Sequence, residues 1–222
     1  MNPEFWQDID WGQIGQAALE TLMMLGGSLI FLVLLGLPLG VVLFLTGKGQ
    51  LLEQPFLHNI LSFVVNIVRS IPFIILLIVL IPVTVMITGT SLGVPGAIPP
   101  LVIASTPFFS RLVETALREV DRGIIEAVQA MGAKTGQLVF RVLLPEARPG
   151  ILAAITVTSI ALVSEAAMSG AIGGGGLGDL AIRYGYQRFQ QDVMIITVVL
   201  LLILVQILQL TGDWLVIHFS HK

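Results

Sequence analysis

From Thr21 to Leu45 the chain carries no charged side chain. A helix crosses the ~30 Å hydrocarbon core of a bilayer with about 20 mostly apolar residues, at a rise of ~1.5 Å each. This run is long enough to do so. The rest of the chain supports a lipid environment. Hydrophobic residues make up 55 % of the 222 residues and charged residues 11 %, against about one quarter charged in an ordinary soluble domain. Mean hydropathy is +0.95.

Four further stretches are apolar enough to span. The second has its apolar centre from Ile71 to Ile87, the third runs from Ala97 to Val113, the fourth from Ile151 to Ala171, and the fifth from Val193 to Ile217. The expected fold is an all-α integral membrane protein with five transmembrane helices. Pro72, Pro82, Pro99, Pro100 and Pro107 interrupt the second and third spans. Proline removes a backbone donor and kinks a helix. In a membrane the freed carbonyls need a protein or water partner. These two spans are therefore expected to line the interior of an assembly. Residues 55–70 read as an amphipathic lead-in to the second span.

The charges orient the spans. Residues 1–47 hold no Lys or Arg. In a five-span arrangement nine basic residues fall on one side (Lys48, Arg69, Arg111, Arg118, Arg122, Lys134, Arg141, Arg148 and Lys222) and two, Arg183 and Arg188, on the other. That asymmetry predicts a periplasmic N-terminus and a cytoplasmic C-terminus. The expected organisation is an extracytoplasmic segment over 1–18, a transmembrane domain over 19–217 with a cytoplasmic loop at 118–150, and a cytoplasmic tail over 218–222. Residues 1–18 contain Glu4, Asp8 and Asp10 but no basic residue, unlike the basic start of a signal peptide.

Several chemistries have no residues to carry them. The chain contains no cysteine, and its histidines, His58, His218 and His221, are scattered. No metal site and no catalytic residue is expected. No G-x-x-x-x-G-K-[ST] phosphate loop occurs, and Gly47-Lys48-Gly49 is too short to form one. No internal repeat of the kind found in secondary transporters is present, and Glu165 alone lies well inside a predicted span. A charge there is costly unless it faces water, a symmetry axis or a partner group.

The loop at 126–150 is the most informative segment. Ile124, Ile125, Val128 and Met131 recur at helical spacing, and Gly132 is suited to a left-handed stop. Thr135 is expected to cap a second short helix with Leu138, Val139, Val142 and Leu143 on its apolar side, and Pro145 to end it. Amphipathicity alone would allow an ordinary helical hairpin. The spacing resembles something more specific, the signature of type I ABC importer permeases: Glu-Ala-Ala, three residues, Gly, nine residues, Ile-x-Leu-Pro. Here it reads Glu126-Ala127-Val128, Gly132 and Val142-Leu143-Leu144-Pro145, with Val128 and Val142 as conservative departures.

That resemblance implies the type I ABC importer permease fold with a cytoplasmic coupling helix. It implies that Glu126, Ala127, Gly132, Ala133, Leu144 and Pro145 couple the permease to a separate ATPase subunit, which binds ATP and Mg. Partners implied are a second copy of the chain, two ATPase copies and a periplasmic or lipid-anchored binding protein, with no nucleic acid. A membrane scaffold without transport would have no reason to carry this signature.

Two further segments narrow the resemblance. Arg69-Ser70-Ile71-Pro72-Phe73-Ile74 is similar to the start of the second span in amino-acid permeases. The stretch 166–189, AAMSGAIGGGGLGDLAIRYGYQRF, is similar to methionine permeases. The expected function is a bacterial inner-membrane path for L- and D-methionine. A permease for another small amino acid, or an ion-coupled secondary transporter, is the alternative.

Path or gate candidates are Ser164, Glu165, Met168, Ser169, Gly173 and Gly174. The family carries an uncharged residue at the position of Glu165, so this residue is a departure from it. Gly173 to Gly176 and Gly178 permit unusual dihedrals and read either as a tight turn or as a gate segment. Asp179, Arg183 and Arg188 are either contacts to the binding protein or solvated loop charges. Gly36-x-x-x-Gly40 either lets two helices approach closely or marks a flexible span around Pro38.

Overall fold

The computed structural model describes residues 10–220. Among them every regular element is helical: α1 (Trp11–Thr46), α2 (Pro55–Ser70), α3 (Phe73–Val79), α4 (Ile81–Thr88), α5 (Gly93–Arg118), α6 (Arg122–Ala130), α7 (Thr135–Leu138), α8 (Leu144–Glu146), α9 (Arg148–Ser169), α10 (Gly176–Leu180) and α11 (Gln191–Phe219). Two π turns, Val139–Leu143 and Ala181–Tyr186, and a 3₁₀ turn, Gly170–Ile172, join neighbouring helices. Of these helices α1, α5, α9 and α11 are long and apolar enough to cross a membrane. The bent pair α2 and α3 brings the number to five if it counts as one span.

The lead-in at 55–70 coincides with α2. Pro72 stands at the entry to α3, where the chain turns by 103° from the axis of α2. Pro82 lies in the first turn of α4. Prolines therefore break the second span into separate helices, as a missing donor and a ring clash should. α5, in contrast, runs on through Pro95, Pro99, Pro100 and Pro107. α5 is largely buried within the chain, whereas α3 and α4 leave Ile75, Val79, Met86 and Ile87 exposed.

The chain divides into two compact units. One comprises residues up to Phe31, Ile71–Ala104 and Ser159–Leu208; the other comprises Leu32–Ser70, Ser105–Thr158 and the chain from Gln209 onward. In the first, Ile14, Ala17, Leu177, Leu180 and Val193 form a buried cluster. A Cβ added to Gly170 would lie 2.2 Å from Asp179 N, and one on Gly178 would lie 2.2 Å from Ala167 O. The end of α9 and the start of α10 thus touch backbone to backbone, which only glycine permits at these two positions.

In the second unit, α1 runs alongside α5. A Cβ on Gly36 would meet Phe109 Cδ1 at 2.6 Å, and one on Gly40 would meet Val113 Cβ at 2.7 Å. The Gly36-x-x-x-Gly40 pair is thus a close helix contact within one chain. α2 runs the opposite way along α5. Asn66 Oδ1 accepts a long 3.5 Å contact from Arg111 Nη2, and the Arg69 guanidinium lies 5.7 Å from the Phe108 ring centre. His58 Nδ1, near the start of α2, lies 3.1 Å from Leu43 O.

Arg69 and Arg111 stand where α2 and α5 pair: Arg111 lies seven residues before the end of α5, and Arg69 lies beside Phe108, ten residues before it. Arg111 and Arg118 both bind the buried carboxylate of Glu114, at 2.6 Å and 2.7 Å.

A candidate coupling loop and gate segment

The loop after α5 is built by local chemistry. Asp121 caps α6, its side chain accepting from Ile124 N at 3.2 Å, a residue the sequence reading passed over. Ile125 is buried and Val128 half-buried, whereas Ile124 is exposed and Met131 is 78 % exposed. The face expected to hold all four therefore keeps only two of them inside. α6 stops at Gly132, whose φ is +81°. Gly132 N donates to Gln129 O at 2.8 Å. Nothing lies within 4 Å of a Cβ added there, so it is the left-handed backbone, not space, that asks for glycine.

Two expectations about the second half of the loop are corrected. Thr135 does not cap α7; Lys134 holds that position, and its backbone N–H donates to Gln137 Oε1 at 2.9 Å. The glutamine reaches back as in a capping box, so the cap falls one residue earlier. Pro145 does not end the helix either. The π turn before it shifts the hydrogen-bond register, with Leu144 N donating to Val139 O. Pro145 then sits in the first turn of α8, where a missing donor is tolerated. Leu138, Val139 and Leu143 are buried as expected, and Val142 is half-buried.

The six coupling candidates divide by exposure. Glu126, Ala127 and Gly132 are exposed around the turn, whereas Ala133, Leu144 and Pro145 are half-buried. Among the first three Glu126 is the charged group, and the last three pack partly inward.

The second candidate segment lies from the end of α9 to α10. Ser164 and Met168 are exposed on one face of α9, and Glu165 is half-buried. Ser169 is buried; its hydroxyl donates to Ala166 O at 2.7 Å and lies 3.8 Å from Met24 Sδ. Of the four candidates on α9, Ser169 thus packs inward within the chain. Gly173, Gly175 and Gly176 all have positive φ; Gly173 is left-handed, whereas Gly175 pairs φ +82° with ψ −165°. Gly93 N donates to Gly173 O at 2.8 Å. Gly174 is buried, and a Cβ there would lie 2.6 Å from Ser169 Oγ.

α1 holds this segment. Glu20 Oε2 accepts from Gly176 N at 2.8 Å, and Thr21 Oγ1 accepts from Leu177 N at 2.9 Å. These are free donors of the first turn of α10. Nearby, a cavity of about 250 Å³ is lined by residues including Gln13, Gln16, Asp179 and Arg183. Asp179 and Arg183 pair with each other, and Arg188 stacks 4.4 Å from the Tyr184 ring centre. Among the described residues no group of acidic and histidine side chains is placed to hold a metal.

Residues 36–222 match the family model of the binding-protein-dependent transport system inner membrane component. The chain belongs to that family. Members from several bacteria are similar along most of its length. The probable D-methionine transport system permease protein MetI of Vibrio cholerae is 52 % identical over 85 % of this chain and 84 % of its own. That of Pasteurella multocida is 43 % identical over all of both chains. The methionine import system permease protein MetP of Bacillus subtilis is 48 % identical over 96 % of both. A solved structure described as inward-facing conformations of the MetNI methionine ABC transporter superposes with a TM-score of 0.93, at 44 % identity over all of both chains. This family member is therefore a multi-pass inner-membrane protein with the type I ABC importer permease fold. It is a transport subunit and not an enzyme.

Proposed function

We propose that this chain forms the membrane path of an ATP-driven importer for methionine, in both the L- and the D-form. It acts as a homodimer with two copies of an ATPase subunit, which binds ATP and Mg, and with a periplasmic or lipid-anchored binding protein. Its N-terminus is periplasmic and its C-terminus cytoplasmic. Glu126, Ala127 and Gly132 meet the ATPase, while Ala133, Leu144 and Pro145 fix the loop to the spans. Ser164, Glu165, Met168, Ser169, Gly173 and Gly174 belong to the path or its gate.

The observation that carries this reading is the exposed Glu126–Ala127 edge, ended by a left-handed Gly132 with open space around it. The test is reconstitution of the chain with its ATPase and binding protein in proteoliposomes. ATP-dependent uptake of labelled L- and D-methionine is expected. Uptake of another small amino acid in place of methionine would overturn the substrate, and uptake without ATP would overturn the mechanism.

A further inference from the structure

Arg69 stands at the end of α2, exposed, with its guanidinium near the Phe108 ring. Taking Arg118, the charged last residue of α5, as the edge of the hydrocarbon core, Phe108 lies about 15 Å inside it at the ~1.5 Å rise per residue, half of a ~30 Å core. The contacts of Asn66 with Arg111 and of Arg69 with Phe108 keep α2 antiparallel to α5 through this depth. An exposed arginine near the bilayer middle is tolerated where it faces a water-filled path or a bound partner, not lipid.

The surrounding charges sharpen the point. Glu114 is buried and already bound by both Arg111 and Arg118. Among the described residues Arg69 is in no ion pair, and the neighbouring triad itself carries a net positive charge. Asn66, also exposed, adds an amide beside it. A planar guanidinium with unused donors is suited to a carboxylate, which it can bind in bidentate fashion.

We infer that Arg69, with Asn66 beside it, forms a carboxylate-binding station on the transport path and holds the α-carboxylate of the amino acid in transit. The inference rests on the proposed transport of methionine. Arg111, held by Glu114, positions Asn66 and adds positive potential. The same donors would also suit a phospholipid phosphate, and the test separates the two.

The chain has no cysteine, so Ser70→Cys places a single thiol next to Arg69. The variant is assembled with the ATPase and binding protein in phospholipid nanodiscs. Reaction of this subunit with a small, water-soluble methanethiosulfonate is followed by mass spectrometry. Labelling is expected. L-methionine at ten times its dissociation constant should slow it by about tenfold, since the free fraction falls to about one tenth. Methioninol, which lacks the carboxylate, should not slow it. Protection should vanish in Arg69→Gln and be weaker but present in Arg69→Lys, which keeps the charge and loses the fork.

A thiol that does not react places Arg69 against lipid, a lipid phosphate or a dry subunit contact, and overturns the inference. Equal protection by methioninol overturns it as well, and needs no variant of Arg69. Protection that survives Arg69→Gln assigns the carboxylate to another group. Uptake of labelled methionine by the unmodified complex is measured in parallel. Uptake without protection refutes the station alone, and absence of uptake refutes the transport reading.

Discussion

The carboxylate of Glu20 accepts a hydrogen bond from the backbone N–H of Gly176, 2.8 Å away in space and 156 positions away in sequence. It caps the first turn of α10 from another helix and does the work that a local N-cap usually does. The neighbouring Thr21 binds Leu177 in the same way, so the glycine run is tied to α1 at two consecutive donors.

Replacing Glu20 by Ala should loosen that tie. A hydrogen bond to a charged acceptor contributes about 1.5–3 kcal/mol, and partial exposure of Glu20 places the loss at the low end. Amide hydrogen exchange across residues 173–180 should rise about tenfold in Glu20→Ala, for a loss of ~1.4 kcal/mol, and less in Glu20→Gln, which keeps an acceptor oxygen. Equal exchange in all three proteins would show that Thr21 alone suffices.

Gly178→Ala tests the backbone contact between α9 and α10. The added methyl would fall 2.2 Å from Ala167 O, with no flexible side chain to move aside. Overpacking of this kind costs about 1–3 kcal/mol. A lower melting temperature of the detergent-solubilised complex is expected. An unchanged melting temperature would mean that the two segments separate at little cost.

At Gly132 the prediction depends on handedness. Gly132→Val should impair uptake, because a β-branched residue is poorly accommodated at positive φ, whereas Gly132→Asn should retain much more, since asparagine tolerates the left-handed region. Glu126→Ala should weaken coupling to the ATPase, seen as lower uptake at equal membrane insertion. Full uptake in both Gly132→Val and Glu126→Ala would remove the loop from the mechanism.

Topology is open to direct labelling. A cysteine introduced at Lys134 is expected to react with a membrane-impermeant maleimide in inside-out vesicles and to stay protected in intact spheroplasts. Reaction from the periplasmic side would invert the orientation drawn from the basic residues.

The sequence made local features legible and left the distant pairings unread. The apolar runs located four long helices, the proline at 72 and the amphipathic pattern gave α2 its bounds, and Gly132 announced its turn. Each of these depends on neighbours within a few positions. The cap on α10 depends on Glu20, which stands just before the charge-free run of α1. Nothing near either residue signals the pairing. The neighbour of Arg69 is equally distant in sequence: a lone arginine after an amphipathic stretch gives no sign that the fold lays Phe108 beside it. The turn at Gly132 followed from spacing, but the shift of cap from Thr135 to Lys134 needed the reach of the Gln137 side chain.

The π turn at Val139–Leu143 has a consequence for how this loop can change. A π turn holds one residue more than the α turn it replaces, and each residue of an α-helix advances the side chains by about 100° around the axis. Winding the same residues into ordinary α-helix would remove the register shift that accommodates Pro145 and advance the chain by one residue's rotation. The signature residues before Gly132 would then be re-phased by roughly a quarter turn against the span that follows Arg148. The extra residue thus acts as a phase setting between the exposed edge at Glu126 and the long helix that begins at Arg148.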